Sequence, residues 1–371
     1  MTGSCADFAR ELLDWYDRCR RQLPWRATEI RADPWPVLVS ELMLQQTRVV
    51  TVIPYFQRFM RRFPTPADLA AAHQREVLRL WQGLGYYARA RYLHAAACRI
   101  VAEFQGRIPE SVADLRRLPG VGRYTAGAVA SIAYDLRAPI LDGNVARVLC
   151  RLNKIRVAPQ RCSTQLWLLA EEILPAQRAG DFNSALMDLG ATICTARSPR
   201  CDICPVLRFC EAAAAGVQEQ IPLPRKRIDI PLLRRWTLCV NRNGRWLLEQ
   251  RPASGRWAGM WQFVTVEAGR RGKPDCAALG RRLAIRIRDL RPIGQVRQAL
   301  THRRYVFDVY TGVADGAQKS HSTRRWVKLS ELDAYPLPRA HVKIAQILHS
   351  RGRKPAGDLP HSRGLAPAAV K

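Results

Sequence analysis

The chain has 371 residues, a length that suggests two domains rather than one, and its 47% hydrophobic content is enough for a proper core. A formal net charge of +29 and a pI near 10.7 point to a polyanionic partner, with nucleic acid the leading reading and an anionic membrane surface the alternative. No apolar run reaches the length of a membrane span, the N-terminus MTGSCADFARELLDWYDR reads as an acid-bearing amphipathic helix rather than a signal peptide, and 11 cysteines scattered through a cytosolic-looking chain argue against a disulfide framework. From residue 6 to 213 apolar residues recur at helical spacing, with Gly/Pro punctuation, and no strand is expected. Residues 214–235, with three prolines and a run of charge, read as a linker.

The texture changes over residues 236–349. Two short apolar runs flank Asn243-Gly244, the strongest short hairpin signal. Strand-like runs follow at 304–313 and 324–329, and a helix carrying Ile344, Ile347 and Leu348 closes the segment. Residues 350–371 lack apolar periodicity and are predicted to be a disordered basic tail. The predicted fold class is a mainly α N-terminal domain followed by a smaller α+β domain.

Cys194, Cys201, Cys204 and Cys210 stand in the spacing C-x6-C-x2-C-x5-C, which can wrap one compact centre. A structural zinc takes four cysteines, and so does a [4Fe–4S] cluster. The usual zinc layout has two CxxC pairs. A single pair therefore leans towards iron–sulfur. Arg197, Arg200 and Arg208 in the same loop would suit phosphate contact.

Residues 118–127, LPGVGRYTAG, read as a tight corner between a helix over 111–117 and another over 123–134. Gly120 and Gly122 would permit backbone angles and a close approach that a Cβ blocks. Amides at the start of the second helix could then hold a phosphate without reading sequence. Two acids stand out. On a helix, Glu41 has apolar Val37, Leu38 and Leu44 as neighbours, so its carboxyl would resist ionisation; the plain alternative is the edge of a solvent face. Asp142 in ILDGNVARVL reads as a helix N-cap, whose amides would hold it ionised. One raised and one depressed carboxyl form the pair used on glycosidic bonds.

SELMLQQT around Glu41, WQGLGYYARAR at 81–91, LPGVGRYTAG, LDGNVARVL and the cysteine cluster together resemble the adenine DNA glycosylases of the endonuclease III-like helix-hairpin-helix superfamily. The resemblance covers roughly residues 8–212. It implies a structural [4Fe–4S] cluster and a double-stranded DNA substrate carrying adenine opposite 8-oxoguanine or G, with the adenine flipped into a pocket. By position, Glu41 matches the general acid, Asp142 the carboxylate that stabilises the sugar cation, and Asn144 a residue that orients the site. Gln46 and Tyr86 match wedge positions, with Tyr87 expected to pack inside.

Oxidised-pyrimidine glycosylase/lyases of the superfamily carry a Schiff-base lysine where Tyr124 stands, and the first lysine of this chain is Lys154. A monofunctional enzyme is expected. The alternatives are such a bifunctional lyase or a non-enzymatic iron–sulfur DNA-binding protein. The segment LLEQRPASGRWAGMWQF resembles the family's Nudix-like C-terminal domain, but ALGRRLAIRIRDL lacks the acid cluster of a pyrophosphatase. Leu300-Thr301-His302 matches the lesion-reading tripeptide, with Thr301 and His302 keeping a hydroxyl and an imidazole and Leu300 departing from an aromatic. The resemblance implies a bacterial, cytoplasmic, nucleoid-associated monomer.

Overall fold

The computed structural model describes residues 4–26, 32–224, 229–269, 272–315 and 321–352. Two compact units divide the chain, Met1–Asp229 and Ile230–Lys371. The described residues of the first unit hold helices and no strand: α1 (Cys5–Cys19), α2 (Pro34–Leu44), α3 (Val49–Arg62), α4 (Pro66–Ala70), α5 (Gln74–Leu80), α6 (Ala88–Phe104), α7 (Val112–Leu115), α8 (Arg123–Tyr134), α9 (Gly143–Leu152), α10 (Ser163–Glu172), α11 (Ala179–Thr192) and α12 (Glu211–Ala214). Among the described residues no helix is long and apolar enough to cross a membrane.

Helix α2 positions the site. Asp33 caps it, accepting from the Trp35 amide at 2.9 Å, and Pro34 fills the first helical position, where its missing N–H costs nothing. Its residues 37–43 are buried on every side, because α3, α6 and α8 all pack against it. Helices α1, α8, α9, α10 and α11 share a second core, in which Phe8 meets Phe182 and Phe209 edge-on. The helix expected over 111–117 is shorter, α7, capped by Ser111 Oγ accepting from the Asp114 amide at 3.0 Å.

The second unit is a six-stranded sheet of order β4-β5-β1-β3-β2-β6, built from β1 (Leu232–Arg242), β2 (Arg245–Gln250), β3 (Trp261–Glu267), β4 (Arg286–Leu300), β5 (Arg303–Asp315) and β6 (Arg324–Val327), with β1 and β5 parallel. Helices α13 (Cys276–Leu283) and α14 (Arg339–Gly352) cover opposite faces. Leu238, Val240, Leu247 and Val264 point into the α13 core, while their neighbours Cys239, Leu248 and Phe263 join the α14 core. Asn243 and Gly244 make the β1–β2 turn with φ of +50° and +73°, as the dipeptide indicated. Strands β3 and β4 were not anticipated. The segment ALGRRLAIRIRDL is not one element: the helix stops at Leu283 and a strand starts at Arg286. The predicted tail falls, from residue 353, outside the described residues, as do residues 225–228 of the predicted linker.

Candidate active site

A cavity of about 480 Å³ opens in the first unit, with Glu41, Tyr124, Asp142 and Asn144 on its wall. Glu41 is only 4% exposed, which removes the solvent-edge alternative. Its Oε2 is buried without a hydrogen-bond partner. Burial pushes its pKa up to about 7; the Tyr124 hydroxyl pulls it down, the Asp142 charge pushes it up, and Arg26 pulls it down again. The result is a carboxyl that keeps a proton to neutral pH with one oxygen uncommitted.

Asp142 caps α9. Its Oδ1 accepts from the Val145 amide at 2.7 Å and its Oδ2 from Asn144 Nδ2 at 3.1 Å. The expected depression of its pKa is not what the structure gives. Burial outweighs the bonds from Val145 and Asn144 and the charge of Arg147, and the pKa is raised. The pair is therefore split by unequal upward shifts rather than opposite ones. The Asp142 charge adds to the burial that raises Glu41.

Tyr124, half-buried, directs its hydroxyl to Met187 Sδ at 3.3 Å and within hydrogen-bonding reach of Glu41. Arg21 and Arg26 line the same cavity and are held there by a distant carboxylate. Arg26 grips the buried Asp188 through both guanidinium nitrogens, at 2.7 and 2.8 Å, and Arg21 joins the same carboxylate at 2.7 Å. Nothing in the sequence marked these three, because their pairing spans more than 160 residues.

Gln46 and Tyr86 both adopt left-handed backbone, with φ of +57° and +48°, a conformation side-chain-bearing residues rarely hold. Both are exposed, and Tyr86 is 43% accessible, whereas Tyr87 is buried. Arg89, also unmarked in the sequence, fastens the two turns together. Its Nη1 caps the α2 carbonyls of Leu42 and Met43 and also reaches Gln45 O, while Nη2 reaches Thr47 Oγ1 and Gly85 O.

Gly120 meets both demands expected of it, with φ of +80° and a Cβ position 2.6 Å from Tyr92 Cβ. Gly122 meets neither. Its φ is −88°, and nothing lies within 4 Å of a Cβ built there. It caps α8 without a side-chain bond, so its position offers the first amides of that helix no side-chain partner.

The four cysteines form one region. Besides burial, the Cys204 thiol is pushed up by Cys194, Cys210 and Cys201. Yet among the described residues no three His, Cys, Asp or Glu side chains could hold a single metal ion. Arg151, 2% exposed, donates to Cys194 Sγ at 3.2 Å, to Thr195 O at 2.7 Å and to Ile221 O at 2.9 Å. Its Nη2 is buried and unpartnered, an orphan donor that a negatively charged centre would satisfy. One turn earlier on α9, Arg147 bonds Cys194 O, Gly190 O and Asn144 Oδ1.

In the second unit, Thr301 and His302 are the exposed two-residue turn between β4 and β5, and Leu300 is half-buried opposite Arg303. Arg303 and Arg304 follow, both exposed.

These two units match known proteins. Residues 39–171 match the HhH-GPD superfamily of base excision DNA repair proteins, 235–346 a NUDIX domain, and 194–210 the iron–sulfur binding domain of endonuclease III. The adenine DNA glycosylase of Rattus norvegicus is 35% identical over 96% of this chain and 82% of its own length. The chain belongs to the adenine DNA glycosylase family. The adenine DNA glycosylase of Mycolicibacterium smegmatis is 47% identical over 56% of this chain and 69% of its own. A solved thermostable thymine-DNA glycosylase is 29% identical with a TM-score of 0.51, covering 57% of this chain and 97% of that one. This family member carries a [4Fe–4S] cluster as its cofactor, and the orphan donor on Arg151 beside Cys194 suits one.

Proposed function

We propose that this glycosylase removes adenine from double-stranded DNA where it lies opposite 8-oxoguanine or guanine, leaving an uncut abasic site. The observation that carries the mechanism is Glu41: a buried carboxyl, protonated to about pH 7, with one oxygen unpartnered on a cavity wall beside Asp142. Glu41 gives its proton to N7 of a flipped adenine, which weakens the bond from C1′ to N9. As that bond breaks, its electron pair leaves with the base and the sugar becomes cationic. Asp142, as its carboxylate, stabilises or traps the cation, held in place by Val145 and Asn144. Glu41, now a carboxylate, takes a proton from the water that adds to C1′.

Tyr124 holds the Glu41 carboxyl from one side. A phenol forms no imine, so strand cleavage through a Schiff base has no nucleophile at this position. The exposed, left-handed Gln46 and Tyr86 are the wedges that enter the stack, and Gly120, Gly122 and the uncapped amides of α8 take a phosphate. Cys194, Cys201, Cys204 and Cys210 would hold the cluster, which when bound pins the 194–210 loop and takes no part in hydrolysis. Thr301 and His302 read the base opposite adenine. The Nudix-like unit hydrolyses no pyrophosphate, since α13 carries Arg281 and Arg282 and no acid. The enzyme works in a bacterial cytoplasm on nucleoid DNA, as a monomer.

The test is base release from duplexes carrying A opposite 8-oxoguanine, A opposite G, and an oxidised pyrimidine. Release should follow that order, with none from the third. Efficient borohydride trapping of the enzyme on DNA would overturn the monofunctional assignment.

A further inference from the structure

The β2–β3 loop, residues 251–260, takes no part in the chemistry above, yet it is built against Tyr305 of β5, three residues past the 300–302 turn. Arg256 donates through Nη1 to the Tyr305 hydroxyl, and its guanidinium lies 5.5 Å from that ring's centroid. Tyr305 stands opposite Gln298 in the β4–β5 ladder, three residues past His302. Trp257 is held in left-handed backbone, φ +55°, with its ring 5.4 Å from Tyr305 and 6.4 Å from Phe307. Arg251 ties the loop down, donating to Arg256 O at 2.8 Å and to Gln262 Oε1 of β3 at 3.2 Å. Leu300 packs on the same core as Trp257.

This brace meets a need. Strand β4 is the edge of the sheet, and its pairing with β5 is interrupted twice, between Arg288 and Arg291 and between Pro292 and Gly294. From Gly294 to Leu300 the ladder is unbroken, so the tip is carried by this stretch, and Tyr305, within it, is where Arg256 and Trp257 hold the hairpin from the side. From this juxtaposition we infer that Arg256, clamped on Tyr305, is a positioning residue for the 300–302 turn and thereby sets the enzyme's preference for the base opposite adenine. The inference rests on the reading of that turn given under Proposed function.

Single-turnover adenine release by the full-length protein, measured on A opposite 8-oxoguanine and on A opposite G, tests it. Arg256→Ala should lower the ratio of the two rates at least fivefold while the rate on A opposite G stays within twofold. Tyr305→Phe removes only the acceptor and should move the ratio the same way, with no further loss in the double variant. Arg256→Lys, which keeps a cation and a donor, should restore part of the ratio. An unchanged ratio in Arg256→Ala and Tyr305→Phe, or an equal loss on both duplexes, overturns the inference. If Thr301→Ala and His302→Ala also leave the ratio unchanged, the reading of the turn itself fails; if they alone lower it, only the role of Arg256 does.

Discussion

On the function proposed above, the cavity of the first unit and the 300–302 turn of the second are opposite solutions to handling a nucleobase. In the cavity, function comes from burial: Glu41 keeps its proton because water is excluded, and its Oε2 is left without a partner. At the turn, function comes from exposure: Thr301 and His302 project from a two-residue hairpin, and the structural work is done beneath them by Leu300, Tyr305 and Trp257. Proton transfer needs a desolvated donor, whereas reading an intact base needs polar groups that stay available.

That contrast can be broken at its strongest point first. Glu41→Gln removes the proton donor and should lower adenine release by about 10²–10⁴-fold. The same variant should be more stable than the parent at pH 8. A pKa raised to about 7 in the fold means that Glu41 contributes its full stability below its unfolded value near 4.5 and loses it as pH rises through 7. The buried charge then costs about 3 kcal/mol, which glutamine avoids. Thermal melting at pH 5 and pH 8 checks this: the gain should appear only at the higher pH. A gain of equal size at both would mean Glu41 is not a strained acid.

Arg151→Met addresses the cluster loop. It deletes the bonds to Cys194, Thr195 and Ile221, and should cost about 2–3 kcal/mol with a fall in visible absorbance per protein. Full absorbance and unchanged melting would show that the guanidinium does not serve the centre. The smallest effects belong to the exposed turn. Thr301→Ala should leave melting within about 0.5 kcal/mol of the parent and reduce only the preference for 8-oxoguanine, by a few-fold. A large loss of stability would place Thr301 in the scaffold rather than at the reading tip.

The sequence was legible where local chemistry decides. Asn243-Gly244 fixed a hairpin, and the cysteine spacing leaned correctly to iron–sulfur. Strand β4 was missed because an edge strand with two interruptions and four arginines loses the alternation that marks a strand. Glu41 had apolar helical neighbours, but only the packing of three helices around α2 decides that it is buried. Asp142 was misjudged because its capping bonds are local and visible, while the burial that overrides them is tertiary. Arg26, Asp188 and Arg89 left no signal, since the bonds that place them include partners more than 40 residues away.

The pH dependence of single-turnover adenine release bears most directly on Glu41 as a proton donor governed by burial. With A opposite 8-oxoguanine, the rate should fall as pH rises through about 7, as Glu41 loses its proton, and should fall on the acid side only once Asp142 is protonated. A rate that stays level from pH 6 to 9, or Glu41→Gln releasing adenine at the parental rate, would contradict it.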